Sequence, residues 1–212
     1  ALAAVRVLAR IHAVWWNKVQ VDELDWIPSM NGPRIEYVDQ VLPEIYPAYA
    51  ATFEEGLPTG GAELLRKFSK SYLKLNASLA ERAPWTLAHQ DFRVDNMLFG
   101  NPENDEVVLI DWQGIGRGPG AYDLAYLLGG SMEIELRREN EKALVASYHD
   151  ELCSNGVERY SFDSAWDDYG YAHLIGGLAT SVFAGGTLDL SNERGKELIS
   201  MMSERHVTAA FD

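Results

Sequence analysis

Six polar side chains stand close together in the middle of this chain. His89-Gln90-Asp91-Phe92-Arg93-Val94-Asp95-Asn96 reads H-x-D-x-x-x-x-N, and Ile110-Asp111-Trp112 follows with its Asp twenty residues after Asp91. Phosphoryl transfer of the kinase type needs these groups in this order. Asp91 follows a short apolar strand, where loops open to a cleft, and its carboxylate suits orienting a hydroxyl and accepting its proton. Asn96 offers a neutral oxygen and Asp111 a charged one. Magnesium is a hard cation that takes oxygen ligands and shares its shell with phosphates and water, so one amide and one carboxylate suit a site where ATP supplies the rest. Arg93 is placed to set its guanidinium on the transferring phosphate. His89 reads as an architectural residue that holds the loop through backbone hydrogen bonds, and Asp95 as a solvated or turn residue. A lone H-x-D carries little weight, and an Asp or Asn near a turn usually makes an Asx-turn. The joint pattern of loop, hairpin, apolar strand and second Asp carries far more.

The elements around the loop follow from periodicity and punctuation. Residues 2–17 predict an amphipathic helix, 21–37 a loop, about 40–54 a helix, and about 61–80 a helix whose Leu65, Phe68, Tyr72, Leu75 and Leu79 form one buried stripe. Short strands are expected at Trp85–Ala88, Asn96–Phe99 and Val107–Ile110, with a turn at 100–105 between the last two. The glycine-rich run Gly114–Gly120 lacks the Gly-Lys-Ser/Thr of a Walker A loop and reads as a tight loop before a helix. Helices are expected at about 121–129, 134–153, 164–184 and 191–208, the last two capped by Asp163 and Ser191. The pattern is α+β and mostly helical, one unit with a small β element in its middle.

Here the residues reach a family. Leu87 to Phe99 resembles the catalytic loop of the aminoglycoside phosphotransferase and choline kinase superfamily. Val108-Leu109-Ile110-Asp111-Trp112-Gln113, then Gly118-Pro119-Gly120-Ala121-Tyr122-Asp123-Leu124-Ala125-Tyr126-Leu127-Leu128, is similar to its metal-binding strand and the helix after it, nearest the bacterial members related to the ecdysteroid-kinase-like branch. The likeness covers roughly residues 1–185, and 87–128 is the motif-specific part. It implies a protein-kinase-like fold with Asp91 as catalytic base, Asn96 and Asp111 as ligands of Mg2+ and ATP, and Asp123 as a helix-start residue bracing the catalytic loop. It also implies that residues 1–212 are the C-terminal lobe alone. No glycine-rich hairpin and no strand Lys with a helix Glu partner precede the loop, so the N-terminal ATP-binding lobe of the same protein becomes an expected partner. Trp112-Gln113 stands where a protein kinase has Phe-Gly, and only about ten residues precede the next helix, so a small-molecule alcohol is the expected acceptor. Aminoglycoside, amino alcohol, sterol-like alcohol and sugar stay open, as does ATP against GTP.

Composition bounds the alternatives. Hydrophobic residues make up 47% and charged residues 24%, as in ordinary globular proteins. A net charge of −14 repels nucleic acid and anionic lipid; a solubilising surface is favoured over attraction of a cationic substrate. One cysteine, Cys153, forbids an internal disulfide, favours a cytoplasmic setting, and reads as a core or boundary residue of a helix. The first helix begins at once, without an initiating Met, as in a piece of a longer chain, and no membrane span is expected. Trp15, Trp16, Trp26 and Trp166 lie in segments that by the resemblance border the acceptor cleft, although core packing is favoured for each. Asp163, Asp167 and Asp168 are favoured as capping or solvated residues over contacts to a cationic substrate. His12, His149, His173 and His206 have no zinc-like spacing. The rival functions are a non-catalytic binding or regulatory domain that retains this fold and, more distantly, a metal-assisted hydrolase.

Overall fold

The structure, a computed structural model, describes residues 1–100, 107–189 and 191–212. Among these residues it is mostly helical, with two small antiparallel two-stranded sheets. In chain order the elements are α1 (Leu2–Trp15), α2 (Pro33–Phe53), α3 (Gly61–Phe68), α4 (Tyr72–Arg82), β1 (Trp85–Ala88), β2 (Met97–Phe99), β3 (Val107–Leu109), β4 (Gly116–Pro119), α5 (Ala121–Ser131), α6 (Ile134–Ser154), α7 (Phe162–Ala172), α8 (Gly176–Thr187) and α9 (Glu193–Phe211).

Helix α5 is the axis of the core. Residues Ala121 to Gly130 are all buried, and the helix touches α1, α6, α7, α8 and α9. A helix apolar on every side has no solvent face and must lie inside. Its one charge, Asp123, therefore needs partners. In the two sheets, β1 pairs with β4 (Leu87 opposite Arg117) and β2 with β3 (Leu98 opposite Val108). The hairpin β2–β3 is thus nested between the strands of the outer pair. Val19, Ile27, Trp85 and Leu87 form a small second apolar cluster under β1.

Several elements depart from the sequence reading. The expected loop at 21–37 ends early, because α2 starts at Pro33. Proline's fixed φ suits the first helical position, and Gly32 before it is extended. The helix then runs on through Pro43 and Pro47, carried by packing against α8. The expected helix 61–80 is two helices, α3 and α4, parted at Ser69–Ser71, where Ser69 Oγ donates to Arg66 O at 3.1 Å. Leu65, Phe68, Tyr72 and Leu79 still face the core. The expected helix 164–184 is likewise broken, at His173–Ile175. A Cβ at Gly177 would lie 2.0 Å from His206 Nδ1, so the chain turns to lay bare backbone on that ring. The caps are Ser161, whose side chain accepts from Ser164 N, and Asn192, which accepts from Gly195 N, in place of Asp163 and Ser191.

The glycine-rich run contains a strand. β4 has few side chains of its own and lies under the chain from Pro28 to Met30: Arg117 N donates to Pro28 O and Met30 N to Arg117 O, both at 2.8 Å. The turn expected at 100–105 lies, apart from Gly100, outside the described residues. Cys153 is exposed, its Sγ 3.7 Å from His149 Nε2, because α6 turns that position outward. No helix among the described residues is long and apolar enough to cross a membrane.

Candidate active site

Buried Asp123 organises the loop after β1. Its Oδ2 accepts from His89 N at 2.6 Å and its Oδ1 from Gln90 N at 2.8 Å. The carboxylate sits in the first turn of α5, where the helix dipole favours negative charge. His12 Nε2 lies 3.3 Å from Oδ2, and His12 Nδ1 meets the Tyr148 hydroxyl at 2.7 Å. Burial raises the Tyr148 pKa well above the ordinary phenol value, so the hydroxyl remains a donor to His12. A fully buried charge of this kind persists only when its oxygens are engaged, and here three donors reach it.

His89 joins the two loops of the site. Its Nε2 faces the carbonyl of Ile110 at 3.0 Å and must carry the proton there. Its Nδ1 is then the acceptor, with Asp91 N at 3.4 Å. Ring contacts with Phe92 and Trp112 hold the imidazole in place.

Asp91 keeps 31% of its side chain exposed. Its Oδ2 accepts from Asn96 Nδ2 at 2.8 Å, and the same amide nitrogen gives its other hydrogen to Asp91 O at 2.9 Å. Both Nδ2 hydrogens are thereby used within the loop. Among the described residues no hydrogen bond engages Asn96 Oδ1. Arg93 Nε stands 3.3 Å from Asp91 Oδ1, while its Nη1 reaches Asp95 Oδ2 at 3.2 Å. Asp95 is therefore an ion-pair partner of Arg93 as well as a surface residue.

Asp111 lies at the end of the inner hairpin. Ile110 N donates to Asn96 O at 3.0 Å, so Asp111 stands one residue past the last backbone bond that ties β3 to Asn96. Its φ of 63° and ψ of 58° put it in the left-handed region, as does the φ of 65° at Gln90. Non-glycine residues held there mark positions fixed by their surroundings. The Asp111 carboxylate is exposed, with Gln113 Nε2 at 3.4 Å as its nearest hydrogen-bond donor among the described residues.

A cleft of about 380 Å³ opens beside Asp91. Gln90 and Arg93 line it near the carboxylate, while Tyr126, Ala184, Leu188, Leu198, Ile199 and Met202 make its walls apolar. Burial and the neighbouring Asp91 charge raise the Tyr126 pKa, so its phenol stays neutral beside the cleft. None of the four tryptophans expected at the acceptor side lines this cleft. Trp16 packs on Tyr160 and Trp166 on Tyr169 and Phe162, Trp15 supports the small cluster under β1, and Trp26 is exposed. Asp168 is buried, accepting from Tyr160 Oη at 3.0 Å and pairing with Arg82 at 3.2 Å, so it serves packing and not a substrate.

Sequence reasoning passed over His12, Tyr148, Tyr126 and Arg34. The first two lie on distant helices, and their only signal was a polar residue on an otherwise apolar helical face. Tyr126 sits in the quoted Asp123–Leu128 motif but looked like one more core aromatic.

A mostly helical unit with two small antiparallel sheets is compatible with an α+β kinase-like lobe. The chain belongs to the ecdysteroid kinase-like family, whose model matches residues 2–157, and through it to the protein-kinase-like and aminoglycoside phosphotransferase superfamily. No curated protein matches the chain.

Proposed function

We propose that this chain is the C-terminal lobe of an ATP- and Mg2+-dependent phosphotransferase that moves the γ-phosphate to a hydroxyl of a small molecule. The observation that carries the reading is the setting of Asp91: a part-exposed carboxylate, steadied by Asn96 and Arg93, that lines a largely apolar cleft. Asp91 orients the acceptor alcohol and takes its proton, a role worth roughly 10²–10⁴ in rate. The donor set suits a hard cation, since among the described residues no hydrogen bond engages Asn96 Oδ1 and the exposed Asp111 carboxylate meets only Gln113 Nε2, at 3.4 Å. Those two residues would hold the magnesium ion with ATP, and the ion when bound neutralises charge on the phosphates. Arg93, already neighbouring Asp91, directs its remaining N–H groups to the transferring phosphate. His89 is occupied by the Ile110 carbonyl and takes no part in proton transfer.

Leu98, Val108 and Ile110 form an exposed apolar face on the hairpin that ends at Asp111. We assign that face to the nucleotide base and to the N-terminal ATP-binding lobe of the same protein. The apolar cleft walls, with the family's ecdysteroid name, favour an alcohol borne on a largely apolar body, such as a polyhydroxylated steroid, over an aminoglycoside. Use of ATP accords with a cytoplasmic location.

The test is transfer of labelled γ-phosphate from ATP to pooled alcohols by the full-length protein with magnesium, with steroid polyols, sugars, amino alcohols and aminoglycosides in separate pools. Label entering one pool, and lost in Asp91→Asn, is expected. Transfer that survives in Asp91→Asn removes Asp91 as the base. Absence of both transfer and nucleotide binding would favour a non-catalytic binding domain.

A further inference from the structure

Arg34 joins the two loops of the site from outside them. The segment before α2 lies along β4 through the backbone bonds of Pro28, Met30 and Arg117, so the start of α2 is fixed relative to β1 and β4. From the second position of α2, Arg34 sends Nη1 to Gly114 O at 3.3 Å and Nη2 to Gln90 Oε1. Gln90 immediately precedes Asp91, and Gly114 lies three residues after Asp111.

Three features show that the bridge is built into the fold. Gln90 holds a left-handed backbone, its N–H is bound to Asp123, and its side-chain oxygen meets Arg34. Its Nε2 is buried without a hydrogen-bond partner among the described residues, while its oxygen is turned to Arg34. The pair also rests directly on Gly116, where a Cβ would lie 2.1 Å from Gln90 Nε2 and 2.9 Å from Arg34 Nη2. Among the described residues no carboxylate pairs with Arg34, unlike Arg93 and Arg117. Its guanidinium instead meets two neutral carbonyl oxygens, between two loops that carry acidic residues.

We propose that Arg34 is a positioning residue: one guanidinium spans the loop that presents Asp91 and the turn that follows Asp111, and fixes the spacing between them. The inference rests on the phosphotransferase reading, in which Asp91 meets the acceptor and Asp111 the metal. A planar fork suits two carbonyl oxygens at once; a lysine ammonium does not present the same pair of donors.

The experiment compares Arg34→Met, Arg34→Lys, Gln90→Met and the Arg34→Met/Gln90→Met double variant with wild type in the full-length protein. Arg10→Met, which removes a distant ion pair to Glu151, is the control. Amide hydrogen exchange is followed at residues 89–92 and 112–116, and Mn2+·ATP affinity by titration. Arg34→Met is expected to speed exchange at both loops and weaken Mn2+·ATP by about tenfold, the effect of losing one charge-assisted link. Arg34→Lys recovers only part, and the double variant is no worse than the worse single, because both ends belong to one bridge. Wild-type exchange and affinity in Arg34→Met overturn the proposal. Faster exchange with unchanged Mn2+·ATP affinity also overturns it, leaving Arg34 a structural tie only. If Arg34→Met fails to fold, Gln90→Met decides by the same two readouts. Failure of the unmutated protein to bind Mn2+·ATP strikes the phosphotransferase reading itself and takes the positioning role with it.

Discussion

Acid should weaken this fold well before its carboxylates are protonated, because two imidazoles are buried without charge. His173, in the turn between α7 and α8, and His206, on α9, both pack on Gly129 of α5; a Cβ there would lie 3.0 Å from Nδ1 of each ring. Among the described residues, both ring nitrogens of His173 and Nε2 of His206 are buried without a hydrogen-bond partner. Burial, then the neighbouring His206 and Arg137, push His173 down to about 3, with Asp212 acting in the opposite sense; burial and Arg205 push His206 down to about 4. Above pH 6.5, the ordinary imidazole value, native and unfolded chains bind the same number of protons at these sites and no stability is lost. Below it the unfolded chain takes up two protons that the native chain refuses until the pH nears 4. Each contributes a slope of about 1.4 kcal/mol per pH unit, so the pair costs up to roughly 5 kcal/mol between pH 6.5 and 4.5. That rivals the whole stability of an ordinary domain, about 5–15 kcal/mol. Carboxylates held low by ion pairs, such as Asp212 and Glu151, add their losses only below their ordinary values, and Asp168, raised by burial, works in the opposite sense. The window from pH 6.5 to 5 therefore lies above the range in which the lowered carboxylates add their losses. Urea unfolding followed by tryptophan fluorescence at half-unit steps from pH 7.5 to 5 gives the slope directly. His173→Leu removes a ring that makes no hydrogen bond among the described residues, and should leave stability at pH 7.5 unchanged or about 1 kcal/mol higher while halving the acid slope. A wild-type curve flat to pH 5, or an undiminished slope in His173→Leu, would falsify the reasoning.

Further outcomes follow from the site. Asp91→Asn should lower turnover by roughly 10²–10⁴ while shifting the melting temperature little, since the side chain is part exposed and Asn can still meet Asn96; steady-state rates beside a thermal melt check both halves. Asp111→Ala should raise the Mg2+ concentration for half-maximal nucleotide binding by at least about tenfold, and an unchanged titration would remove it from the metal site. Asp123→Ala strands the amides of His89 and Gln90, at about 1–3 kcal/mol each, so chemical denaturation should show a loss of several kcal/mol. Gly177→Ala should cost about 1–3 kcal/mol or more by driving a methyl into the His206 ring, and a wild-type melting curve would refute that contact.

The residues bearing the proposed chemistry were legible in the sequence because they are close along the chain. Asp91, Arg93, Asn96 and Asp111 lie in one stretch of sequence, and the strands beside them carry ordinary apolar runs. What escaped the sequence depends on contacts between distant segments. His12 reaches Asp123 across 111 residues, and Arg34 reaches Gln90 across 56. Neither distance leaves a periodic trace. Strand β4 was hidden by its composition, since Gly-Arg-Gly-Pro is poor strand sequence and pairs only because β1 and the Pro28–Met30 segment flank it. The breaks at Ser69–Ser71 and His173–Ile175 interrupt apolar spacing that runs unbroken in the sequence, so periodicity alone joined the helices.

The pairing of β1 with β4 brings Trp85 opposite Pro119, so the stretch that holds Asp91, Asn96 and Asp111 begins and ends at neighbouring points of one ladder. That stretch lies inside the span matched by the family model, 2–157, whereas the cleft walls from Ala184 to Met202 come after it. On the proposed function, the groups that would carry the reaction and most of the walls that would select the alcohol thus come from separate lengths of chain, Tyr126 excepted. Exchanging α8 and α9 among relatives should swap one preferred alcohol for another while every proposed metal-holding oxygen stays where it is, which makes this architecture a convenient starting point for redirecting a phosphotransferase.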